Sequence, residues 1–301
     1  MIPITVDTVL APTIGYPMRQ SLSAKLSNVM YERMGIDVLR FPIELADGSH
    51  LRDVINGLRY MNVKSIGITK PYKVEVIRYL DELDGFAEKM GAVNHVHILD
   101  GKLVGFSRDG EGFLYSLRRT GCIISESTFF CFGAGGAGRA ICGALAHEGA
   151  KKIYIADLFA ESARSLEEKI NRSFAPVAEA VELSDLPRLQ RLANEADVVM
   201  NVTGLGMDPH REGTALNRSA FRAGQIAFDA VYNPAETRFL REAREAGCRV
   251  LSGKGMLIRL QMLGAERRSG KKVENYGEWE QVFDQLLMEE QKRQEGGVSG
   301  G

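Results

Sequence analysis

The chain carries no surplus of charge. Its 38 Lys and Arg stand against 39 Asp and Glu, for a net charge of −1 over 301 residues. Partners held through a global basic field, nucleic acids above all, are therefore disfavoured. Cysteine is scarce, with Cys122, Cys131, Cys142 and Cys248 only, and no two fall in Cys-x-x-Cys spacing. That excludes a disulfide framework and a cysteine metal site, and leads us to expect free or buried thiols in a reducing cytoplasm. Histidine is scarce too: His50, His95, His97, His147 and His210. His95 and His97 alternate along an expected strand and should share a face, but without nearby carboxylates or cysteines they indicate no metal. No apolar run approaches the ~20 residues of a membrane-spanning helix. Met1–Leu10 is neither basic nor apolar enough for a signal peptide.

What is present is ordinary globular composition over a length that suits two domains. Short β-branched runs alternate with amphipathic stretches, the pattern of an α/β protein with a largely parallel sheet. In the first third, strands are expected at Thr13–Gly15, Val38–Pro42 and Ser65–Thr69, and helices at Ala24–Met34, Leu51–Met61 and Tyr72–Leu83. Val93–Leu99 and Leu103–Phe106 read as a hairpin turning at Asp100-Gly101. From about Gly110 a second series begins. It has strands at Thr128–Phe132, Lys152–Ala156, Asp197–Asn201, Ile226–Asp229 and Arg249–Leu251. Its helices fall at Ala137–Glu148, Ala160–Arg172 and Pro234–Ala246. The tail beyond Gly255 is expected to be helical to about Lys292 and to pack back on the first domain, and the last six residues to be disordered.

Gly133-Ala134-Gly135-Gly136-Ala137-Gly138 fits G-x-G-x-x-G. Among 32 glycines the pattern alone is weak. Here it directly follows the apolar run Thr128–Phe132 and directly opens a helix, which makes it a dinucleotide fingerprint. Gly133 allows the tight turn, Gly135 lets a pyrophosphate reach the backbone, and Gly138 lets helix and strand pack closely. The helix N-terminus then offers N–H groups and a favourable dipole to the anion. Asp157 follows the next strand, 19 positions after Gly138. A carboxylate there accepts bonds from the adenine ribose hydroxyls and repels a 2′-phosphate, and no basic residue follows until Arg164. NAD is favoured, with NADP as the lesser alternative.

Two further charged residues stand at element junctions. Lys73 lies in Thr69-Lys70-Pro71-Tyr72-Lys73, where Pro71 suits the first position of a helix. Asp109 follows the hairpin. Spacing alone does not pair them.

Five segments in order resemble the shikimate dehydrogenase family, including its quinate/shikimate branch. They are Gly15-Tyr16-Pro17 with Ser21-Leu22-Ser23; Thr69–Lys73; Gly91-Ala92-Val93-Asn94 with Asp109; the glycine cradle; and Asp229-Ala230-Val231-Tyr232-Asn233-Pro234 running on to Gly253-Lys254-Gly255-Met256-Leu257. The set spans about residues 11–272. The resemblance implies an N-terminal α/β substrate domain over 1–109, a Rossmann-type doubly wound domain over 110–254, and helices over 255–301 that return to the first domain. It implies reversible oxidation of a ring hydroxyl, as in shikimate or quinate, by a cytoplasmic monomer or homodimer. By motif position, Lys73 and Asp109 match the family's catalytic pair, the lysine usually taking the proton. Ser21 and Ser23 match the hydroxyls that hold a substrate carboxylate. Thr69, Asn94 and Tyr232 match substrate-binding positions. Asn201 and Thr203 resemble the strand end near the nicotinamide ribose, and Gly255 the glycine near the nicotinamide. A folate-type dehydrogenase, another cyclic hydroxy acid, and a non-catalytic NAD-binding sensor are the alternatives.

The chain departs from the family pattern at several positions. Gln20 replaces a His, Ala24 a Pro, and Gly67 an Asn common in the family. His95 replaces a Thr, and Ser107-Arg108 an Asn-Thr. A substrate-binding Gln of the last helices falls on Leu260, and the neighbouring Gln261 is expected to face elsewhere, about 100° around the helix. Arg108 stands either as a clamp for an acidic substrate or in solvent. The reaction class is thus better marked than the substrate.

Overall fold

The computed structural model describes residues 4–297. The chain runs through β1 (Val9–Gly15), α1 (Ser23–Met34), β2 (Val38–Glu44), α2 (Leu51–Leu58), β3 (Ser65–Ile68), β4 (Glu82–Leu83), α3 (Gly85–Met90), β5 (His95–Leu99) and β6 (Lys102–Phe106). It continues through α4 (Asp109–Arg118), β7 (Thr128–Phe132), α5 (Gly136–His147), β8 (Lys152–Ala156), α6 (Ala160–Ser173), β9 (Ala178–Ala180), α7 (Leu186–Glu195) and β10 (Val198–Asn201). It ends with β11 (Ile226–Asp229), α8 (Arg238–Glu245), β12 (Arg249–Ser252), α9 (Lys254–Ser269) and α10 (Tyr276–Gly297). Contacts divide it into two compact units. One holds residues 1–87, 93–108 and 257–301; the other holds 88–92 and 109–256. No helix among the described residues is long and apolar enough to cross a membrane.

The first unit is built on a mixed sheet ordered β2-β1-β3-β5-β6-β4. β1 pairs in parallel with β2 and β3, and the β5–β6 hairpin adds antiparallel to β3. The hairpin turns at Asp100 (φ 49°) and Gly101 (φ 78°), the two positive φ values that match a tight turn to the twist of the strands. Because side chains alternate along a strand, Ile14, Ile66, Ile68 and Val96 point to one face, where they join Leu51, Ile55 and Val76 in the core. Thr13, Ser65, Gly67, His95 and His97 fall on the other face, with Arg40 of β2 on the same side by register. α1 and α9 cover that second face: Ser27 Oγ donates to Gln261 Oε1 at 2.6 Å, and Arg268 bonds the Ser65 hydroxyl and lies over the Tyr31 ring. α10 is held to α1 by ion pairs of Lys25 with Glu290 and Arg33 with Glu278.

The second unit is a six-stranded sheet, wholly parallel, ordered β12-β11-β10-β7-β8-β9. Read from the other edge this is the 3-2-1-4-5-6 order of the doubly wound fold, whose strand order reverses between β7 and β10. The central strands are apolar on both faces, as a sheet covered on both sides requires: Phe129, Phe130 and Cys131 of β7, and Val198, Val199 and Met200 of β10, are fully buried. The two units together give the α/β architecture expected from the sequence.

Three expectations need correction. Tyr72–Leu83 is not an α-helix: residues 70–74 form turns, Glu75–Tyr79 a short 3-10 helix, and Glu82–Leu83 pairs with β6. Asp81 N–H bonds the Leu103 carbonyl, and Asp81 Oδ2 accepts from Leu103 N–H, so hairpin pairing overrides the helical spacing of the apolar residues. Pro234–Thr237 lies outside the helix expected there; Thr237 caps α8 by accepting the Leu240 N–H. The tail is two helices broken at 270–275, and α10 runs on through Gly296 and Gly297, which were expected to be disordered. Val298–Gly301 lie outside the described residues, as do Met1–Pro3. His95 and His97 do share a face, with ring centroids 4.9 Å apart. All four cysteines are free.

Candidate functional site

The glycine cradle sits at the strand-order switch of the second unit. β7 ends at Phe132, and Gly133 takes φ +109°, a value open to glycine and costly for other residues. A Cβ there would stand 3.0 Å from Val202 Cγ2, just past the end of β10. A Cβ on Gly138 would overlap the Gly133 carbonyl oxygen, so that glycine is what lets α5 begin hard against the turn. At Gly135 a Cβ would meet no protein atom within 4 Å. The backbone there is bare and exposed, and α5 presents its N-terminus from Gly136 onward. An exposed glycine backbone at a helix N-terminus fits a pyrophosphate.

Asp157, at the end of β8, holds the loop in shape. Its Oδ2 accepts the Ala134 N–H at 2.6 Å, and its Oδ1 accepts the Phe159 N–H at 2.9 Å. The half-buried Arg139 guanidinium feels the Asp157 charge, although burial is the larger influence and lowers its basicity. Beside the cradle, Asn201 organises the ends of β10 and β11. Its Oδ1 accepts from Thr203 Oγ1 at 2.7 Å, and its Nδ2 donates to Asp229 Oδ1 at 3.1 Å. Asp229 also accepts from Thr237 Oγ1 at 2.6 Å and from Val231 N–H at 2.9 Å. Burial nonetheless dominates and pushes its carboxyl up to about 6. This network fixes the loop that carries Tyr232, half-buried, and Asn233. Gly255 lies in the first turn of α9.

In the first unit, β1 delivers the chain to the Thr69–Lys73 turn. Tyr16 N–H bonds the Lys70 carbonyl at 2.9 Å, and Thr69 N–H bonds the Ile14 carbonyl at 2.9 Å. The loop then returns to α1, whose first residue is Ser23. The hydroxyls of Ser21 and Ser23 are bonded to each other at 3.0 Å, a pair of short side chains able to donate together to one small anionic group. Lys73 lies in the turn rather than in a helix, half-buried, and its carbonyl accepts the Val93 N–H at 2.7 Å. That bond ties it to Asn94. Asn94 Oδ1 in turn accepts the Arg108 N–H at 2.8 Å, fixing the chain just before Asp109. Asp109 itself is 4 % exposed and opens α4 of the second unit, where the helix dipole favours a negative charge. The structure thus draws Ser21, Ser23, Thr69, Lys73 and Asn94 into one unit. It places Asp109, Tyr232, Gly255 and the cradle residues in the other.

The first unit also holds a cavity of about 240 Å³ between the polar sheet face and the helices that cover it. Asn94, His95, Arg108, Leu260 and Gln261 all border it. Three of the sequence departures, His95, Arg108 and Leu260, therefore converge on one space. Gln261, expected to face elsewhere, borders it as well; its Oε1 accepts from Ser27 Oγ and, at 3.2 Å, from Arg40 Nη1. Arg108 borders the cavity with its guanidinium over the Phe106 ring and 3.7 Å from Asp84 Oδ2. Sequence reasoning did not single out Arg40, Lys64, Arg267 or Arg268, which also border it. They come from β2, the β3 approach and the end of α9, and no local pattern links them.

Comparison with known proteins agrees with this arrangement. Residues 13–96 match the family model described as the shikimate dehydrogenase substrate binding domain. The chain is 33% identical to shikimate dehydrogenase (NADP(+)) of Moorella thermoacetica over 301 residues, covering 100% of both chains. The crystal structure of shikimate 5-dehydrogenase from Listeria monocytogenes in complex with shikimate and NAD superposes with a TM-score of 0.83. It has 33% identity and covers 94% of this chain and 98% of that one. Quinate dehydrogenase from Corynebacterium glutamicum in complex with NAD superposes with a TM-score of 0.80 at 28% identity, covering 92% and 98%. With such relatives matched along its whole length, at 33% identity over 301 residues, the chain belongs to the shikimate dehydrogenase family.

Proposed function

We propose that the protein is a nicotinamide-dependent dehydrogenase that interconverts a ring hydroxyl and a ketone on a shikimate- or quinate-like cyclic hydroxy acid. The observation that carries this reading is the conjunction, in one chain, of a glycine cradle at the switch point of a 3-2-1-4-5-6 sheet with the Ser21–Ser23 hydroxyl pair and the Thr69–Lys73 turn, both in the other unit. Bound nicotinamide supplies the hydride acceptor. The protein's own residues hold the acid and move the proton. Ser21 and Ser23 donate to the substrate carboxylate. Thr69, Asn94 and Tyr232 orient the ring. By motif position Lys73 and Asp109 are the catalytic pair, and the lysine takes the hydroxyl proton as the C–H bond gives up hydride, so the alcohol leaves as the ketone.

Gly133–Gly138 would hold the pyrophosphate of the cofactor, Asp157 its adenine ribose, and Asn201, Thr203 and Gly255 its nicotinamide end. A carboxylate in that place favours NAD. The Moorella relative is named for NADP, whereas the Listeria and Corynebacterium structures contain NAD, so the preference rests on Asp157 itself. We place the enzyme in the cytoplasm, in keeping with its free thiols, as a monomer or homodimer.

The test is to follow formation of reduced cofactor by purified protein, with NAD or NADP, on shikimate and quinate. NAD-dependent turnover that Lys73→Ala abolishes supports the reading. Cofactor binding without turnover of any cyclic hydroxy acid contradicts it.

A further inference from the structure

A sheet face buried beneath two helices is ordinarily apolar. The face beneath α1 and α9 is not. Five cationic side chains, Arg40, Lys64, Arg108, Arg267 and Arg268, border the cavity there, and no Asp or Glu does. Arg40 is the most telling, at 8 % exposed. Its Nε donates to Thr13 Oγ1 at 3.0 Å and its Nη1 to Gln261 Oε1 at 3.2 Å, both neutral acceptors. Among the described residues, no carboxylate pairs with Arg40, Lys64 or Arg268. A guanidinium withdrawn from water without a counter-charge costs several kcal/mol, and such a charge persists where a ligand supplies the missing partner.

The surroundings are built to keep that charge in place. A Cβ at position 67 would lie 2.6 Å from Arg40 Nη2, so any residue other than glycine there would displace the guanidinium. Arg268 is held by the Ser65 hydroxyl and lies over the Tyr31 ring at 5.7 Å. It is oriented before anything binds, which lowers the entropic cost of gripping an anion. His95 and His97 border the same space, and burial together with the arginines pushes both imidazoles down, His97 to about 4. They are therefore neutral at physiological pH, and the positive potential comes from the permanent cations, Arg40, Lys64 and Arg268 above all, since Arg108 stands 3.7 Å from Asp84 Oδ2. The volume of about 240 Å³ is ample for a carboxylate or phosphate group. Asn94, assigned above to ring binding, borders it too.

We propose that this cavity is a subsite for a second anionic group of the substrate, a carboxylate or phosphate carried by the ring hydroxy acid in addition to the carboxylate met by Ser21 and Ser23. The assignment to substrate rests on the dehydrogenase reading above; the affinity for an anion rests on the cavity alone. The favoured substrate is thus at least dianionic, which separates this enzyme from one tuned to a monocarboxylic ring acid.

The two parts are tested separately on the full chain. First, inorganic phosphate is titrated while the imidazole resonances of His95 and His97 and the melting temperature are followed. Saturable movement of both resonances and a rise in melting temperature are expected. Lys64→Gln with Arg268→Gln should weaken the phosphate effect by about tenfold or more, with the phosphate-free fold confirmed by circular dichroism. Resonances that stay still, or unchanged affinity in a folded double variant, overturn the anion site whether or not the protein is a dehydrogenase. Second, cyclic hydroxy acids with and without an added carboxylate or phosphate are compared as substrates. A kcat/KM about tenfold or more above shikimate and quinate for the dianionic acids is expected. Equal or better turnover of the monocarboxylates overturns the assignment of the anion to substrate, even if phosphate binds.

Discussion

Adding one methyl group at either of two glycines in the cradle should have opposite consequences. Gly138→Ala places a Cβ onto the Gly133 carbonyl oxygen and within 3.4 Å of Val202 Cγ2. The obstacle is backbone, so it cannot swing aside, and α5 must shift away from β7. Overpacking of a rigid site costs about 1–3 kcal/mol, and backbone overlap belongs at the upper end. For a unit of this size each kcal/mol lowers the melting temperature by about 2–4 °C, so a loss of roughly 6–12 °C is expected at 3 kcal/mol, with NAD binding weakened alongside. Gly135→Ala puts the same methyl where no protein atom lies within 4 Å. Its φ of −72° is one any residue adopts, so the melting temperature should stay within about 1 °C of the parent, surface substitutions typically costing under 0.5 kcal/mol. Only a ligand that closes on the backbone meets that methyl, and NAD affinity should fall about tenfold or more, or 1.4 kcal/mol. Differential scanning fluorimetry and fluorescence titration with NADH read the two effects. A Gly135→Ala protein that binds NADH like the parent would refute the cradle argument, as would a Gly138→Ala protein of parental stability.

Two further outcomes follow from single carboxylates. Asp157→Asn removes the charge that repels a 2′-phosphate while keeping one acceptor for the two loop N–H groups that the carboxylate now holds. The ratio of kcat/KM for NAD over NADP should drop by about tenfold or more, and an unchanged ratio would place cofactor choice elsewhere. Asp229 has a folded value of about 6, raised mainly by burial, against about 3.9 for an unfolded aspartate. Its neutral form is the one the fold prefers, so its contribution is complete below pH ~4 and is lost as pH rises through 6. Relative to Asp229→Asn, the parent should lose about 2 kcal/mol between pH 4 and pH 7 in urea melts, most of the full displacement at 1.36 kcal/mol per pH unit. A difference that stays flat or grows with pH would contradict the burial argument.

Much of the second unit was legible because its signals are local. The aromatic run of β7, the glycines behind it and Asp157 all fall within about 30 residues, the length of one strand-helix-strand repeat. α7 carried a readable signal that went unused: Asp185 caps it, Pro187 sits in its first turn, and Leu189, Leu192 and Ala193 form its buried stripe. β9, three residues long, is too short for any period to show. α4 was hidden by Gly110 and Gly112, residues that speak against a helix in isolation. Gly110 is there for packing, since a Cβ would lie 2.5 Å from Ala144 Cβ of α5. In the first unit, apolar spacing over Tyr72–Leu83 suggested a helix that pairing with the hairpin displaced. The basic cavity was illegible for a different reason. Arg40, Lys64, Arg108 and Arg268 are scattered along the chain, and only the register of β1, β2, β3 and β5 beneath α9 brings them to one space. Family resemblance pointed to the altered positions His95, Arg108 and Leu260, but not to the arginines that give those changes a common meaning.

The central claim is that hydride leaves a ring carbon of a cyclic hydroxy acid for a nicotinamide bound in the cradle, with Lys73 taking the hydroxyl proton. The most direct test supplies shikimate or quinate deuterated at the carbon that bears the reacting hydroxyl, together with NAD, and weighs the reduced cofactor by mass spectrometry. Deuterium in the reduced nicotinamide, and no reduced cofactor from Lys73→Ala, is the result expected. Reduced cofactor without deuterium, or equal label from the Lys73→Ala protein, would contradict the account.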